Sequence, residues 1–388
     1  MKQLRKIIDN IKPNFQEGGK FEKLRSTFDA FETFLYVSNK VTNKGSHIRD
    51  SIDLKRTMSI VIMSLIPALL FGIWNVGYFH FLSLGEDNVS FFEVFFNGFI
   101  KVFPIIVVSY VSGLAVEFVA AQIRGHEVNE GFLVSGMLIP LVMPVDVPLW
   151  MVSIATIFAV IIGKEVFGGT GMNIFNPALL SRAFIFFAYP SKITGDLIWV
   201  SELSKNKLAV VDGFSGATPL GNAAHGAFDK IPDLWTLFWG FVPGSIGETS
   251  KFAILIGAFI LIITRIGSFK IMLSFVLGGV VMSSIFNIFA VNEFMQLSPL
   301  YHILLGSFLF GAVFMATDPV TAAQTSIGKY IYGFLGGFFA IMIRVFNPAY
   351  PEGTMLSILL MNTFAPLIDY YVIQSNINRR LNRVKNIN

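Results

Sequence analysis

Hydrophobic positions in this chain come in long runs, not in the alternating or three-and-four spacing of half-buried elements. The runs cover 58–82, 97–121, 131–143, 148–163, 177–190, 251–266, 271–291, 299–316, 328–345 and 354–373. A helix that is apolar all round is surrounded by apolar material, and about 20 such residues cross a bilayer core. The pattern predicts an all-α polytopic membrane protein of about ten transmembrane helices. The runs at 131–143 and 177–190 are too short for a straight crossing, so tilted, broken or half-length helices are expected there.

Polar stretches divide the chain into an N-terminal arm at 1–57, a first transmembrane repeat at 58–190, a loop at 191–250, a second repeat at 251–375 and a basic tail at 376–388. Only 14% of the 388 residues are charged and 54% are hydrophobic; a soluble chain carries about 25% charged residues. Lipid is therefore the solvent for most of this sequence. The net charge of +4 implies no nucleic acid, because the basic residues sit mainly at helix ends. Lys and Arg gather in the arm, at Arg124, Lys164, Arg265, Lys270 and Lys329, and in the tail. In the 191–250 loop, acids offset the lysines. That asymmetry places both termini on the cytoplasmic side of the membrane and the loop on the other. The first apolar run begins near Met58, too far from the start for a cleaved secretory leader. Phe15, Phe21, Phe28, Phe31, Phe34, Leu35 and Tyr36 give the arm apolar material for a folded or surface-lying helix; a floppy tail is the alternative. With no cysteine, the chain itself can hold no disulfide and no thiolate-bound metal, and its five histidines form no HxxxH pair.

The tetrapeptide Phe-Asn-Pro-Ala occurs at 175–178 and again at 346–349, each time opening an apolar run. Upstream of each copy lies a Gly-rich apolar segment ending in proline, Gly131–Pro144 and Gly306–Pro319. With five spans per half, an odd number, the two halves would be inverted repeats. Such an arrangement puts sites near the midplane, where helices break.

Acidic residues in or near apolar runs are candidates for ion handling, since a carboxylate in lipid is expensive. They are Glu117, Asp318, Glu352 and Asp369. Simpler roles stay open: Glu117 solvated near Arg124, Asp318 as a helix cap, Asp369 paired with tail arginines. Arg182 and Arg344 near the two repeats could pair with an acid or face a phosphate. In the loop, Asp212-Gly213-Phe214-Ser215-Gly216-Ala217-Thr218 has two glycines among hydroxyl residues. Its exposed N–H groups suit a phosphate, although on residue type alone an ordinary surface turn is the simpler reading.

The segment resembles the flavin-attachment motif, Ser-Gly-Ala-Thr preceded by Asp-Gly, found in two related membrane proteins: the B subunit of sodium-translocating NADH:quinone reductase and the D subunit of the Rnf complex. The likeness continues through His47–Ser51, His126–Phe132, Lys164–Gly171, Pro243–Glu248, Ala316–Pro319 and Asn347–Gly353. It implies FMN joined by a phosphoester to Thr218, with Asp212, Ser215, Gly216 and Ala217 around it. It also implies riboflavin near Asn173 and Asn176, quinone near Gly113, and Na+ movement linked to Glu117, Asp318, Glu352 and Asp369. Asn176 before Pro177 would also serve as a helix cap. Where the family has a second glycine after Gly113, this chain has Leu114. The implied partners are an NADH-oxidising subunit, a periplasmic FMN subunit, small membrane subunits and a flavin transferase. No Gly-x-Gly-x-x-Gly follows a strand pattern here, so NADH is expected to react elsewhere. The long arm favours the quinone-reductase subunit over its Rnf counterpart. A passive channel or secondary transporter is the alternative that the helix pattern alone allows.

Overall fold

The computed structural model describes residues 2–16, 19–21, 28, 32, 42–48, 54–86, 88–124, 131–193, 195–203, 211, 214–347 and 351–385. Among these, regular structure is helical throughout, with no strand. The membrane helices are α1 (Leu54–Ser83), α2 (Phe91–Arg124), α3 (Phe132–Val142), α4 (Leu149–Gly163) and α5 (Pro177–Ala188), then α6 (Lys251–Ile263) and α7 (Phe269–Ile288). A broken segment follows, with Pro299–Leu304 first and then α8 (Phe308–Phe310), which runs into a π-helical turn at Gly311–Met315. The last two are α9 (Ser326–Phe346) and α10 (Thr354–Lys385). Six helices are long and apolar enough to cross a membrane, and α3, α5 and α6 are shorter apolar helices. The chain is a multi-pass membrane protein.

One expectation is corrected. The run 299–316 is not one span: the chain breaks at Leu305–Ser307, where Gly306 takes φ +60. The described part of the basic tail is helical, because α10 continues to Lys385. No Gly or Pro stops it after Pro366, and Gln374 and Asn378 hydrogen-bond one turn apart at 3.3 Å.

The two halves share a packing order. In the first, α2 packs on α4 and α4 on α5; in the second, α7 packs on α9 and α9 on α10. The helices that open the halves, α1 and α6, pack on each other. A finer match supports the correspondence: Gly113 of α2 lies against the Phe132 ring of α3, and Gly279 of α7 against the Phe308 ring of α8.

Small residues set these crossings, as expected where lipid provides no hydrophobic drive between helices. A Cβ on Gly98 would come within 1.8 Å of the Ile73 carbonyl oxygen, and one on Gly77 within 1.9 Å of that of Val94. The α1 and α2 backbones therefore touch. Gly98→Val would force them apart, at a cost of about 1–3 kcal/mol or more. The expected result is a melting temperature several degrees lower for the detergent-solubilised chain, read by thermal-shift fluorescence.

Candidate functional site

Two groups of polar residues lie inside the bundle, one near the arm end where α1 begins and one beneath the 191–250 loop. The arm-end site is a cleft of about 800 Å³, mouth included. Thr170, Asn173, Asn176, Lys164 and Asp318 line it, with Val134, Leu138, Leu261 and Phe314 as apolar walls. Asn176 caps α5: its Oδ1 accepts from the N–H groups of Ala178 at 3.0 Å and Leu179 at 3.4 Å. Its Nδ2 donates to Asp318 Oδ2 at 3.3 Å. The cap reading of Asn176 is thus correct, and the same side chain ties the first Phe-Asn-Pro-Ala to the broken segment of the second half. Asn173 donates to the Phe175 carbonyl at 3.2 Å. Asp318 also accepts from Val320 N at 3.0 Å, so it organises the turn before α9.

The other acidic candidates have protein partners. Glu117 is not solvated beside Arg124; it forms a buried ion pair with Lys164, the two side chains 4% and 5% exposed. Arg124 pairs with Glu165 at 3.0 Å. Asp369 does not meet the tail arginines. It accepts from Gln324 N at 2.6 Å, Thr325 N at 2.9 Å and Thr325 Oγ1 at 2.5 Å, holding the start of α9. Glu352 pairs with Arg182 at 2.9 Å. Gly113 is buried in helix contact with no room beside it, since a Cβ there would meet Phe132 at 1.9 Å. Among the described residues no three His, Asp or Glu converge as a metal site.

The loop-end site is richer in charge than its sequence suggested. Arg182, Glu248, Lys251 and Arg344 are buried, and Glu352 nearly so. Lys251 donates to the carbonyls of Glu248 at 2.6 Å, Gly306 at 3.2 Å and Thr249 at 3.3 Å. Arg344 donates to the carbonyls of His302 and, at 3.1 Å, Leu305. Arg182 donates to the Val142 carbonyl, at the end of α3, at 2.8 Å. Each cation thus serves carbonyls at an interrupted or ending helix, which lipid could not satisfy. Burial first, and then the neighbouring Glu352 carboxylate, raise the Glu248 carboxyl above the ordinary range. Lys251 and Glu248 were not singled out from sequence. The signal for them was an ionisable residue at the edge of an apolar run.

Thr218 stands over this cluster. Together with Glu248, Thr249, Lys251, Gly306 and Glu352 it lines a cavity of about 350 Å³. Its Oγ1 caps the short helix Pro219–Ala224, accepting from Gly221 N at 3.0 Å. Ser215 Oγ accepts from Ala217 N at 3.2 Å, which shapes the turn before it. Gly216 is buried, and a Cβ there would meet the Asp196 carbonyl oxygen at 2.3 Å. Phe214 packs against Phe79, Val200 and Leu203, which anchors the turn. Asp212 and Gly213 lie outside the described residues, as do 49–51, 126–130 and 348–350 from the segments that carry the family likeness.

This architecture defines a class: polytopic helical membrane proteins whose interrupted helices gather buried charge at both ends of the bundle. Residues 41–378 match the model of the NQR2, RnfD, RnfE family. The B subunit of the Na(+)-translocating NADH-quinone reductase of Chromohalobacter salexigens is 42% identical, covering 98% of this chain and 96% of the relative. The subunits of the same name from Ectopseudomonas mendocina and Pseudomonas aeruginosa are 42% and 43% identical, covering 98% of this chain and 99% of theirs. The chain belongs to the NQR2, RnfD, RnfE family.

Lys164→Met would strand the Glu117 carboxylate in the bundle. Breaking such a pair costs about 3–5 kcal/mol, whereas replacing both partners with apolar groups is often nearly neutral. Chemical unfolding in micelles should therefore show a large loss for the single variant and recovery for Glu117→Leu/Lys164→Met.

Proposed function

We propose that this chain is the B subunit of a sodium-translocating NADH:quinone reductase in a bacterial inner membrane, carrying FMN as a phosphoester on Thr218 and riboflavin in the arm-end cleft. The observation that carries the reading is similarity over 98% of the chain to relatives bearing that name. That span takes in the N-terminal arm, which favours the quinone-reductase subunit over its Rnf counterpart.

The residues present fit the two groups. At Thr218 the hydroxyl oxygen accepts a backbone hydrogen bond, which leaves its proton as the one to be replaced when an ester forms. The adjoining cavity gives space beside it, and Lys251 supplies positive charge near an anionic phosphoester. The arm-end cleft offers a flat ring apolar walls and a polar edge at Thr170, Asn173 and Lys164. When bound, the flavins supply one-electron chemistry, and the protein supplies placement and electrostatic tuning. In this reading Thr218 anchors, Gly216 lets the turn approach the chain at Asp196, and Asn176 and Asp318 hold the cleft wall. Glu117, paired with Lys164, and Asp369, at the α9 cap, act on Na+ through the helices they hold. Gly113 acts on quinone through the position of Phe132. NADH oxidation belongs to a partner subunit, quinone is the acceptor, and a flavin transferase matures Thr218.

Expressed with its flavin transferase, the chain should give a yellow-fluorescent band that survives SDS denaturation, with the adduct visible by intact-mass spectrometry. Thr218→Ala should abolish both signals while membrane insertion stays normal. An unmodified wild-type chain under those conditions would sink the assignment.

A further inference from the structure

The charged cluster beneath the loop encloses a second chamber of about 370 Å³, bounded by both halves of the protein. Its polar lining consists of Arg182, Ser245, Glu248, Ser307, Glu352 and Thr354. Apart from the Arg182 guanidinium, every polar side-chain atom in that lining is an oxygen. Hard oxygen donors suit an alkali or alkaline-earth cation, and Met315 and Met355 are part of the remaining wall.

Two of those oxygens lack any protein partner. Glu248 is 6% exposed; its Oε1 accepts from Ser245 N at 2.9 Å, whereas Oε2 has no hydrogen bond. Thr354 is 2% exposed, and its Oγ1 likewise has none. A buried oxygen left without a partner is costly, so both positions are suited to a ligand that supplies positive charge.

Two carboxylates and one guanidinium line the chamber itself, and Lys251 and Arg344 also face Glu248 from α6 and α9. Arg182 is engaged by Glu352 and by the Val142 carbonyl at the end of α3. The positive N-terminal end of α10, worth roughly half a charge, is opposed by the negative C-terminal end of α3. In membrane transporters it is helix C-terminal ends and unwound carbonyls that coordinate Na+, and the end of α3 supplies that polarity here.

We propose that this chamber binds a sodium ion through Glu248 and the Thr354 hydroxyl, with Glu352, steadied by Arg182, as the opposing carboxylate. The inference rests on the sodium-pump reading above and extends it to Glu248 and Thr354. The site lies beside the cavity that Thr218 lines, and Glu248 and Glu352 line both spaces. Charge added at Thr218 is therefore felt by the ion.

The charged groups facing Glu248 are Arg182 on α5, Lys251 on α6, Arg344 on α9 and Glu352 ahead of α10.

The test is equilibrium binding of 22Na+ to the intact purified complex, with covalent flavin quantified in the same sample. Glu248→Gln keeps the acceptor for Ser245 N, and Thr354→Val keeps the shape, so both variants should fold. We expect Glu248→Gln to remove one bound Na+ per complex or raise its Kd at least tenfold, with a smaller rise for Thr354→Val. Unchanged Na+ binding in both variants, with flavin on Thr218 and normal melting temperatures, overturns this site and leaves the pump reading intact. A wild-type complex with no flavin on Thr218 overturns the pump reading, and this inference with it.

Discussion

A helix that stops inside a membrane leaves carbonyls that neither water nor its own next turn can satisfy. Three buried cations meet that need in this protein. Arg182 takes the end of α3, Arg344 takes the carbonyls before the Gly306 break, and Lys251 takes Gly306 itself. Their presence in the bundle then requires negative charge nearby, and Glu248 and Glu352 provide it. The broken helices, the buried charge and the cavities beneath the loop are consequences of one constraint. Removing any of these cations would leave a bare carbonyl inside the bundle.

The same economy appears at the other end of the bundle. Asn176 uses its oxygen to start α5 and its amide to hold Asp318, which itself organises the turn leading to α9. Asp369 on α10 closes the α9 start from the opposite side. The first Phe-Asn-Pro-Ala thus marks a point where one half of the molecule is attached to the other. A cleft at such a seam changes shape if the halves move relative to one another.

Glu117 and Lys164 show how misleading an acidic residue in an apolar run can be. The sequence presents a carboxylate in lipid and suggests an ion ligand. The fold gives it a buried ammonium partner instead, and Arg124, the expected neighbour, turns to Glu165. Glu248 is the reverse case. It sits in a loop motif with no obvious demand for charge, yet one of its oxygens is buried without a partner.

The sequence alone determined the helical membrane class, the approximate limits of most apolar runs and the place of the Thr218 turn. Those features are local: they follow from hydrophobic run length and from residue types at fixed spacing. Tertiary structure decided that 299–316 breaks at Gly306, that α10 runs through the tail, and which cation each carboxylate meets. Partners such as Glu117 and Lys164, or Arg182 and Glu352, lie 47 and 170 residues apart. Their pairing depends on how helices cross, and glycine contacts too small to register in hydropathy set those crossings.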